Sequence, residues 1–330
     1  GHRDDSSSTN EEITFLRNQF RSSCKVSNLA IQGDPKYNKN YRNNPCLVIS
    51  HYEQGERKNI FIDVGKTFRE GALRWMPVHQ LTSLDGIVLT HQHMDAVAGL
   101  DDVRGFQKIE SIGRLLGDKK LPPPRRVPTP IFLSQPTLNE VSSQFPWLFP
   151  KQDQVKKKGD VEQHKQQTVT PDGKPVVKRD VAALDVNVIQ SFEPFEVAGL
   201  VMVPLPVWHG SDLICLGYAF SVSSGSGDKK TNVVYLSDIS EMIPETLDYI
   251  QTQLPPTDIL IVDALLVDRA HPVHFNMKQA VDLIAEIGPK QAYLVGMNCD
   301  SFLPHDEMNI ELAKLGINVQ LAHDGLSLDL

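Results

Sequence analysis

Apolar residues occur along the chain in short β-branched runs bounded by turn residues. These are Leu47-Val48-Ile49, Ile60-Phe61-Ile62, Ile87-Val88-Leu89, Val201-Met202-Val203, Val233-Val234-Tyr235-Leu236, Ile259-Leu260-Ile261-Val262 and Ala292-Tyr293-Leu294-Val295. Runs that are apolar throughout, rather than alternating with polar residues, mark strands buried on both faces. Between several of them the apolar spacing becomes helical, over 68–75, 97–106, 277–287 and 306–315, the last with Met308, Leu312 and Leu315 on one side. The alternation predicts an α/β architecture.

Two stretches interrupt this pattern. Residues 121–130 are rich in proline, and residues 151–178 are rich in Lys, Gln and Asp with almost no apolar spacing. Both read as surface excursions, near 110–130 and 151–180, inserted into one domain over 11–330 rather than dividing it. Residues 1–10 are polar enough to fray, and no repeat of fixed period is visible.

The 330-residue length suffices for a sizeable core, and 40% hydrophobic with 22% charged residues is ordinary globular composition. Lys and Arg number 33 against 41 Asp and Glu, a net charge of −8 that repels polyanions. A general nucleic-acid coat is disfavoured, and any phosphate-bearing substrate must be held by a local cluster or a metal. Lys156-Lys157-Lys158 reads as a solvated loop. Cys24, Cys46, Cys215 and Cys299 lack CxxC spacing, which fits neither a zinc ribbon nor a disulfide framework and favours a reducing, cytoplasmic compartment. No run of eighteen apolar residues occurs, so no membrane association is expected.

The chemistry concentrates where a buried-type strand, Gly86 to Leu89, runs into Thr90-His91-Gln92-His93-Met94-Asp95-Ala96. In extended backbone alternate side chains share a direction, so His91, His93 and Asp95 are expected to converge above the strand end. Two neutral imidazoles and a carboxylate are a ligand set for Zn²⁺ or Mn²⁺. His209 follows the strand-like 201–207, and Asp238 follows 233–236; together with His91 and His93 they complete three histidines and a carboxylate on one rim of a sheet. Asp263-Ala264 and His271-Pro272-Val273-His274 precede the helix at 277, and His274 is the candidate proton donor at the mouth of such a site.

Thr-His-Gln-His-Met-Asp-Ala, Pro-Val-Trp-His-Gly, Leu-Ser-Asp, His-Pro-Val-His-Phe and Leu-Ala-His-Asp-Gly-Leu resemble, in this order, the motifs of the metallo-β-lactamase superfamily. The likeness is to the branch of phosphoribosyl cyclic phosphate phosphodiesterases and tRNA-trailer endonucleases, and nearest to an uncharacterised eukaryotic group with Gly-Lys-Thr-Phe-Arg after the first hairpin, here Gly65 to Arg69. It runs from about Pro45 to Leu330, with 108–195 matching poorly. The resemblance implies an αββα sandwich with metals along one edge. It places His91, His93 and His209 on a first metal, Asp95 on a second, Asp238 bridging the two, His274 as proton donor, and a closing strand and turn over 321–326. The superfamily's usual second-metal histidine is Ala96 here, and a later histidine is replaced by Cys299, a thiolate ligand or a buried thiol. A depleted second site is expected, held by Asp95, Asp238 and either Cys299 or His305, beside one tight Zn²⁺ or Mn²⁺.

A divalent metal acidifies water toward a pKa of about 7, giving a hydroxide nucleophile that Asp95 orients. The expected activity is a metal-dependent phosphodiesterase acting on a small phosphodiester. A hydrolase of a thioester, lactone or amide is one alternative, and a degenerate metal-binding scaffold, with Ala96 and Cys299 as its evidence, is another. The endonuclease reading is weaker, because only Lys156 to Lys158 and Arg125-Arg126 offer a basic grip.

Overall fold

The computed structural model describes residues 24–330 other than 112–116, 118–119, 123, 150–180 and 224–229. The first strands are β1 (Leu47–Glu53), β2 (Glu56–Ile62) and β3 (Gly86–Val88). A short ribbon of β4 (Ile109–Glu110) and β5 (Arg125–Arg126) precedes β6 (Thr129–Leu133) and β7 (Leu184–Val188). One sheet has the order β1-β2-β3-β6-β7, antiparallel at the β1–β2 hairpin and parallel elsewhere. The second half supplies β8 (Phe195–Val197), β9 (Leu200–Trp208), β10 (Ile214–Ser223), β11 (Lys230–Leu236), β12 (Ile259–Asp263), β13 (Gln291–Val295) and β14 (Val319–Leu321). They form a seven-stranded sheet, antiparallel from β8 to β11 and parallel from β11 to β14.

The continuous apolar runs are explained by burial on both faces. Ile60 and Ile62 of β2, Val88 of β3, Val233 and Tyr235 of β11, and Ile259 and Ile261 of β12 pack together between the sheets. Their sequence neighbours point outward. Phe61 and Ile87 meet Phe68, Ala72 and Met76 of the helix Phe68–Val78. Val234, Leu236, Leu260 and Val262 meet Ala280, Leu283 and Ile284 of the helix Met277–Ile287. That helix opens with a reciprocal capping box between Asn276 and Gln279 and ends at Gly288, whose φ is 68°. The layers are helix, sheet, sheet, helix, the expected αββα sandwich.

Where local pattern and structure differ, long-range contacts are the reason. The expected helix over 97–106 is instead a single turn, Met94–Val97, followed by a 3-10 turn at Asp102–Gly105. Gly99 interrupts it by approaching the other chain segment closely. Its N–H donates to Val64 O at 2.7 Å, and a Cβ there would meet Gly65 O at 2.7 Å. β10 carries no turn-bounded β-branched run and was not legible, whereas β9 runs through Pro204 and Pro206 and exceeds the expected 201–207 by one residue at each end. Of the two excursions, 151–180 lies outside the described residues, as do the tail 1–10 and Lys156 to Lys158; 110–130 is partly described as the β4–β5 ribbon. The closing strand is β14, ending at Leu321, with a turn after it.

Gly65 has the tightest requirement in this packing, because a Cβ on it would overlap the Asp95 carbonyl group. We expect Gly65→Ala to lose at least about 3 kcal/mol in denaturant unfolding, the upper end of ordinary overpacking, since backbone rather than a flexible side chain must yield. A loss below about 1 kcal/mol would show that the two segments separate freely.

Candidate functional site

The chain leaves β3 at Val88 and is held against the other sheet at once. The Tyr218 hydroxyl donates to Leu89 O at 2.6 Å, and Leu216 N–H donates to Thr90 O at 2.9 Å, both from β10. Asp63, at the end of β2, accepts the Thr90 backbone N–H and the Thr90 hydroxyl, each at 2.8 Å. With Asp63 ionised, Thr90 Oγ1 gives its one proton to Asp63 and accepts from His91 Nδ1, 2.9 Å away. The His91 tautomer follows: Nδ1 carries the hydrogen and Nε2 presents its lone pair. That Nε2 is buried with no hydrogen-bond partner among the described residues.

His209, just after β9, is set in the same way. Its Nδ1 lies 2.7 Å from Val273 O, a group that only accepts, so Nε2 is again the free lone pair. His209 Nε2 stands 3.1 Å from His93 Nδ1. The rings of His91, His93 and His209 have centroids 4.7 to 5.0 Å apart, and one nitrogen from each falls within a 4.8 Å group. Two nitrogens bound to one tetrahedral Zn²⁺ at about 2.0–2.1 Å are roughly 3.3 Å apart, close to the His93–His209 spacing. Burial and the neighbouring imidazoles push His91 well below its ordinary pKa, and burial outweighs the Val273 bond to take His209 to about 4. Both rings are therefore neutral and able to ligate.

Asp238, after β11, and His274 share a second such group with His209. Asp238 has φ 49°, a left-handed conformation that aspartate tolerates better than most residues. Burial, reinforced by Asp263 and Asp95 and opposed by His274, raises Asp238 to about 7. His274 Nδ1 lies 2.6 Å from Asp263 Oδ2 and 3.7 Å from Asp238 Oδ1. Burial works to lower the His274 pKa, but the Asp263 hydrogen bond and the surrounding carboxylates prevail and raise it.

Asp95 reaches the site differently from the sequence expectation. The backbone is not extended through it: the helix Met94–Val97 starts directly after His93, and Asp95 sits in its first turn. Its Oδ1 is buried without a partner among the described residues. Orphaned His91 Nε2 and Asp95 Oδ1, two further imidazoles and a crowd of carboxylates are together the environment a divalent cation completes. The residues present fit a metal.

Ala96 is buried in the apolar cluster of the first sheet with Val64 and Val97. Cys299 is not gathered with Asp238; its sulfur stands with Cys24 and Asp300, and Ser27 Oγ donates to it at 3.2 Å. His305 is also elsewhere, with Nε2 accepting from Asn309 and its ring against His323. Neither residue supplements Asp95 and Asp238. The residues that sequence reasoning left without a role are Asp63, Thr90 and Asp263, which act on histidines rather than on a ligand; Asp63 follows β2 at φ 65°, and that positive φ has no sequence signature. Of the basic clusters, Arg125 is paired with Glu110 at 2.7 Å.

A family model described as beta-lactamase superfamily domain matches residues 58–297. The chain belongs to the metallo-β-lactamase superfamily. A diphosphatase of the PhnP family is 25% identical with a TM-score of 0.63, over 93% of this chain and 90% of that one. Zinc-bound PqqB from Methylobacterium extorquens shares the superfamily fold at 15% identity and TM-score 0.60, over 93% of each chain. An octanoyltransferase from Porphyromonas gingivalis is 24% identical over 269 residues, 82% of this chain and 42% of the relative, so the chain spans about two fifths of that protein's length. No helix among the described residues is long and apolar enough to cross a membrane.

The Asp63-Thr90-His91 chain gives a sharp expectation for Asp63→Asn. An amide donating to Thr90 Oγ1 makes the hydroxyl donate to His91 Nδ1, which moves the ring hydrogen onto Nε2. Zn²⁺ affinity in chelator competition should fall about 10- to 100-fold, as for other partners behind a liganding histidine. Unchanged affinity would remove Asp63 from control of the tautomer. For His93→Ala, elemental analysis should find most of the metal gone.

Proposed function

We propose that the protein is a metal-dependent phosphodiesterase that cleaves a small phosphodiester, using one tightly held Zn²⁺ or Mn²⁺ on His91, His93 and His209 and a weaker second ion between Asp95 and Asp238. The observation that carries this reading is the Asp263–His274 pair at 2.6 Å beside the three-histidine cluster. A purely structural metal has no use for such a pair, whereas a departing alkoxide needs a proton. The relative named as a diphosphatase, an enzyme of phosphate hydrolysis, supports attack at phosphorus rather than at an acyl carbon.

When bound, the metal supplies a Lewis acid and makes water acidic at neutral pH. The chain's own residues do the rest. Asp95 Oδ1 accepts a hydrogen from the attacking water and orients its lone pair toward phosphorus. As the new P–O bond forms, the bond to the leaving oxygen breaks on the opposite side, and His274 Nε2 donates its proton there. Asp263 holds the His274 ring through Nδ1 and stabilises the imidazolium before the transfer.

Hydrolysis of a thioester, lactone or amide is the competing chemistry, and the octanoyltransferase relative is named for acyl transfer. A covalent acyl intermediate finds little support at the site: Cys215 Sγ, 3.9 Å from His91 Nδ1, is fully buried and its pKa is pushed well above the ordinary thiol range.

The metal-replete protein is expected to hydrolyse bis(p-nitrophenyl) phosphate and to leave thioesters and lactones untouched. His274→Ala should keep its metal, melt at a lower temperature because buried Asp263 loses its partner, and lose about 10²- to 10⁴-fold in rate on a diester with a poor leaving group. The loss should be smaller with p-nitrophenolate, which departs without a proton. Equal losses on both would remove the proton-donor role, and no turnover of any substrate would favour a metal-binding scaffold.

A further inference from the structure

The histidine and carboxylate cluster uses neither Cys24 nor Cys299, which stand 275 residues apart in sequence and meet beside the loop that follows β13. Their sulfurs, with an Asp300 oxygen, fall within 4.8 Å of one another. Cys24 is buried, whereas Cys299 is half-buried in a turn between β13 and the helix His305–Ala313. The Cys24 thiol donates to Cys299 O at 3.2 Å and accepts the Ser27 N–H at 3.2 Å, while Ser27 Oγ donates to Cys299 Sγ at 3.2 Å. The other two thiols are occupied elsewhere, Cys46 donating to Asp63 O and Cys215 lying beside His91.

Cys24 caps the helix Lys25–Ala30, the start of a strap over 24–45 that crosses the helix His305–Ala313. Two of the strap's fastenings are exposed ion pairs, Lys25 to Glu307 at 2.7 Å and Lys39 to Asp306 at 3.0 Å, a kind of contact that contributes little to stability. Further along, Arg42 Nη1 donates to Met297 O at 3.2 Å. The loop beneath is next to the candidate centre: Asn298 N–H donates to Leu265 O at 2.9 Å, and a Cβ on Gly296 would overlap Asp263 Oδ1. The segment that carries Cys299 therefore backs the carboxylate that holds His274.

We propose that Cys24 and Cys299 are a reversible thiol–disulfide pair, oxidised by a low-molecular-weight disulfide such as glutathione disulfide, whose bond fastens the strap to the loop backing Asp263. The more accessible Cys299 thiolate attacks one sulfur of glutathione disulfide and expels a glutathione thiolate. The Cys24 thiolate then attacks the Cys299 sulfur of the mixed disulfide and expels the second. The two protein thiols give up two electrons and two protons, and glutathione disulfide becomes two glutathione thiols. The sulfurs close to about 2.0 Å by turning about their Cα–Cβ bonds, with the turn around Cys299 following. Burial, Cys24 and Asp300 hold the Cys299 thiol above its ordinary pKa against the Ser27 bond, so the first attack is slow at neutral pH. A zinc ion is the weaker occupant: the group offers three ligand atoms where structural zinc takes four, and Ser27 already donates to both sulfurs.

The test incubates the metal-replete chain at about pH 8, where thiolate is more abundant, in glutathione buffers of rising disulfide fraction; free thiols are then trapped and the digest is mapped without reduction. A peptide linking Cys24 to Cys299 should appear and should vanish with dithiothreitol. The bond closes a loop of 275 residues, so the oxidised chain should melt about 5 °C higher than the reduced one. In Cys24→Ser the link should be absent and Cys299 should stop at its mixed disulfide with glutathione; in Cys299→Ser buried Cys24 should stay unmodified. Either variant serves if the other does not fold, and the linked peptide and the melting shift require neither. No link at any buffer ratio, or a mixed disulfide persisting beside free Cys24 in the unmodified chain, would overturn the proposal. A link without any rise in melting temperature would remove the fastening, and loss of an equivalent of Zn²⁺ in Cys24→Ser by elemental analysis would make the pair a metal site instead.

Discussion

The three residues that leave β2, Asp63 to Gly65, hold the candidate site together. The Asp63 carboxylate sets Thr90, and through it the ring hydrogen of His91. Val64 N–H donates to Ala96 O at 2.8 Å and Val64 O accepts from Gly99, so the helical turn bearing Asp95 is bonded through its C-terminal side. Gly65 lets that turn approach to backbone contact. One tripeptide therefore places ligands belonging to two different parts of the centre, and disturbing it moves both.

Charge is the second constraint. A chain of net charge −8 brings Asp63, Asp95, Asp238 and Asp263 to one end of the sandwich, where burial raises the pKa of Asp63, Asp238 and Asp263 and repulsion from neighbouring carboxylates adds to it for Asp63 and Asp238. Such an arrangement is unfavourable by itself and becomes favourable with cations. His274 offsets part of it within the chain, and a divalent ion on the lone pairs of His91 and His209 would offset more. The field at the site is set by its local groups and not by the acidic surface of the molecule as a whole.

Much of this was legible in the sequence for physical reasons. Strands buried on both faces leave continuous apolar runs, so β2, β11, β12 and β13 stand out, and the spacing of Met277–Ile287 with Asn276 before it and Gly288 after it defines a helix without further information. The histidines and aspartates at strand ends stand out because few residue types ligate metals. What stayed hidden depends on contacts between distant segments. The path of the chain through Asp95 follows from Gly65 and Gly99, not from local periodicity. Asp263 differs from any strand-terminal aspartate only once His274, eleven residues on, folds back to it. Cys299 looked like a ligand by position, yet its neighbours are set by Cys24, 275 residues away.

His91, His93 and Asp95 follow strands of the first sheet, while His209, Asp238, Asp263 and His274 follow strands of the second. The two groups meet where the inter-sheet layer closes and Tyr218 and Leu216 fasten the Leu89-Thr90 segment across the sandwich. The centre is thus a late product of folding: it cannot exist until the halves have docked and the inter-sheet layer has closed. A ligand that spans both groups adds little to a transition state in which the halves are still apart. Its effect falls on escape from the native state, so occupancy would slow unfolding and leave the folding rate nearly unchanged, making the lifetime of the folded chain a property of the ions available to it.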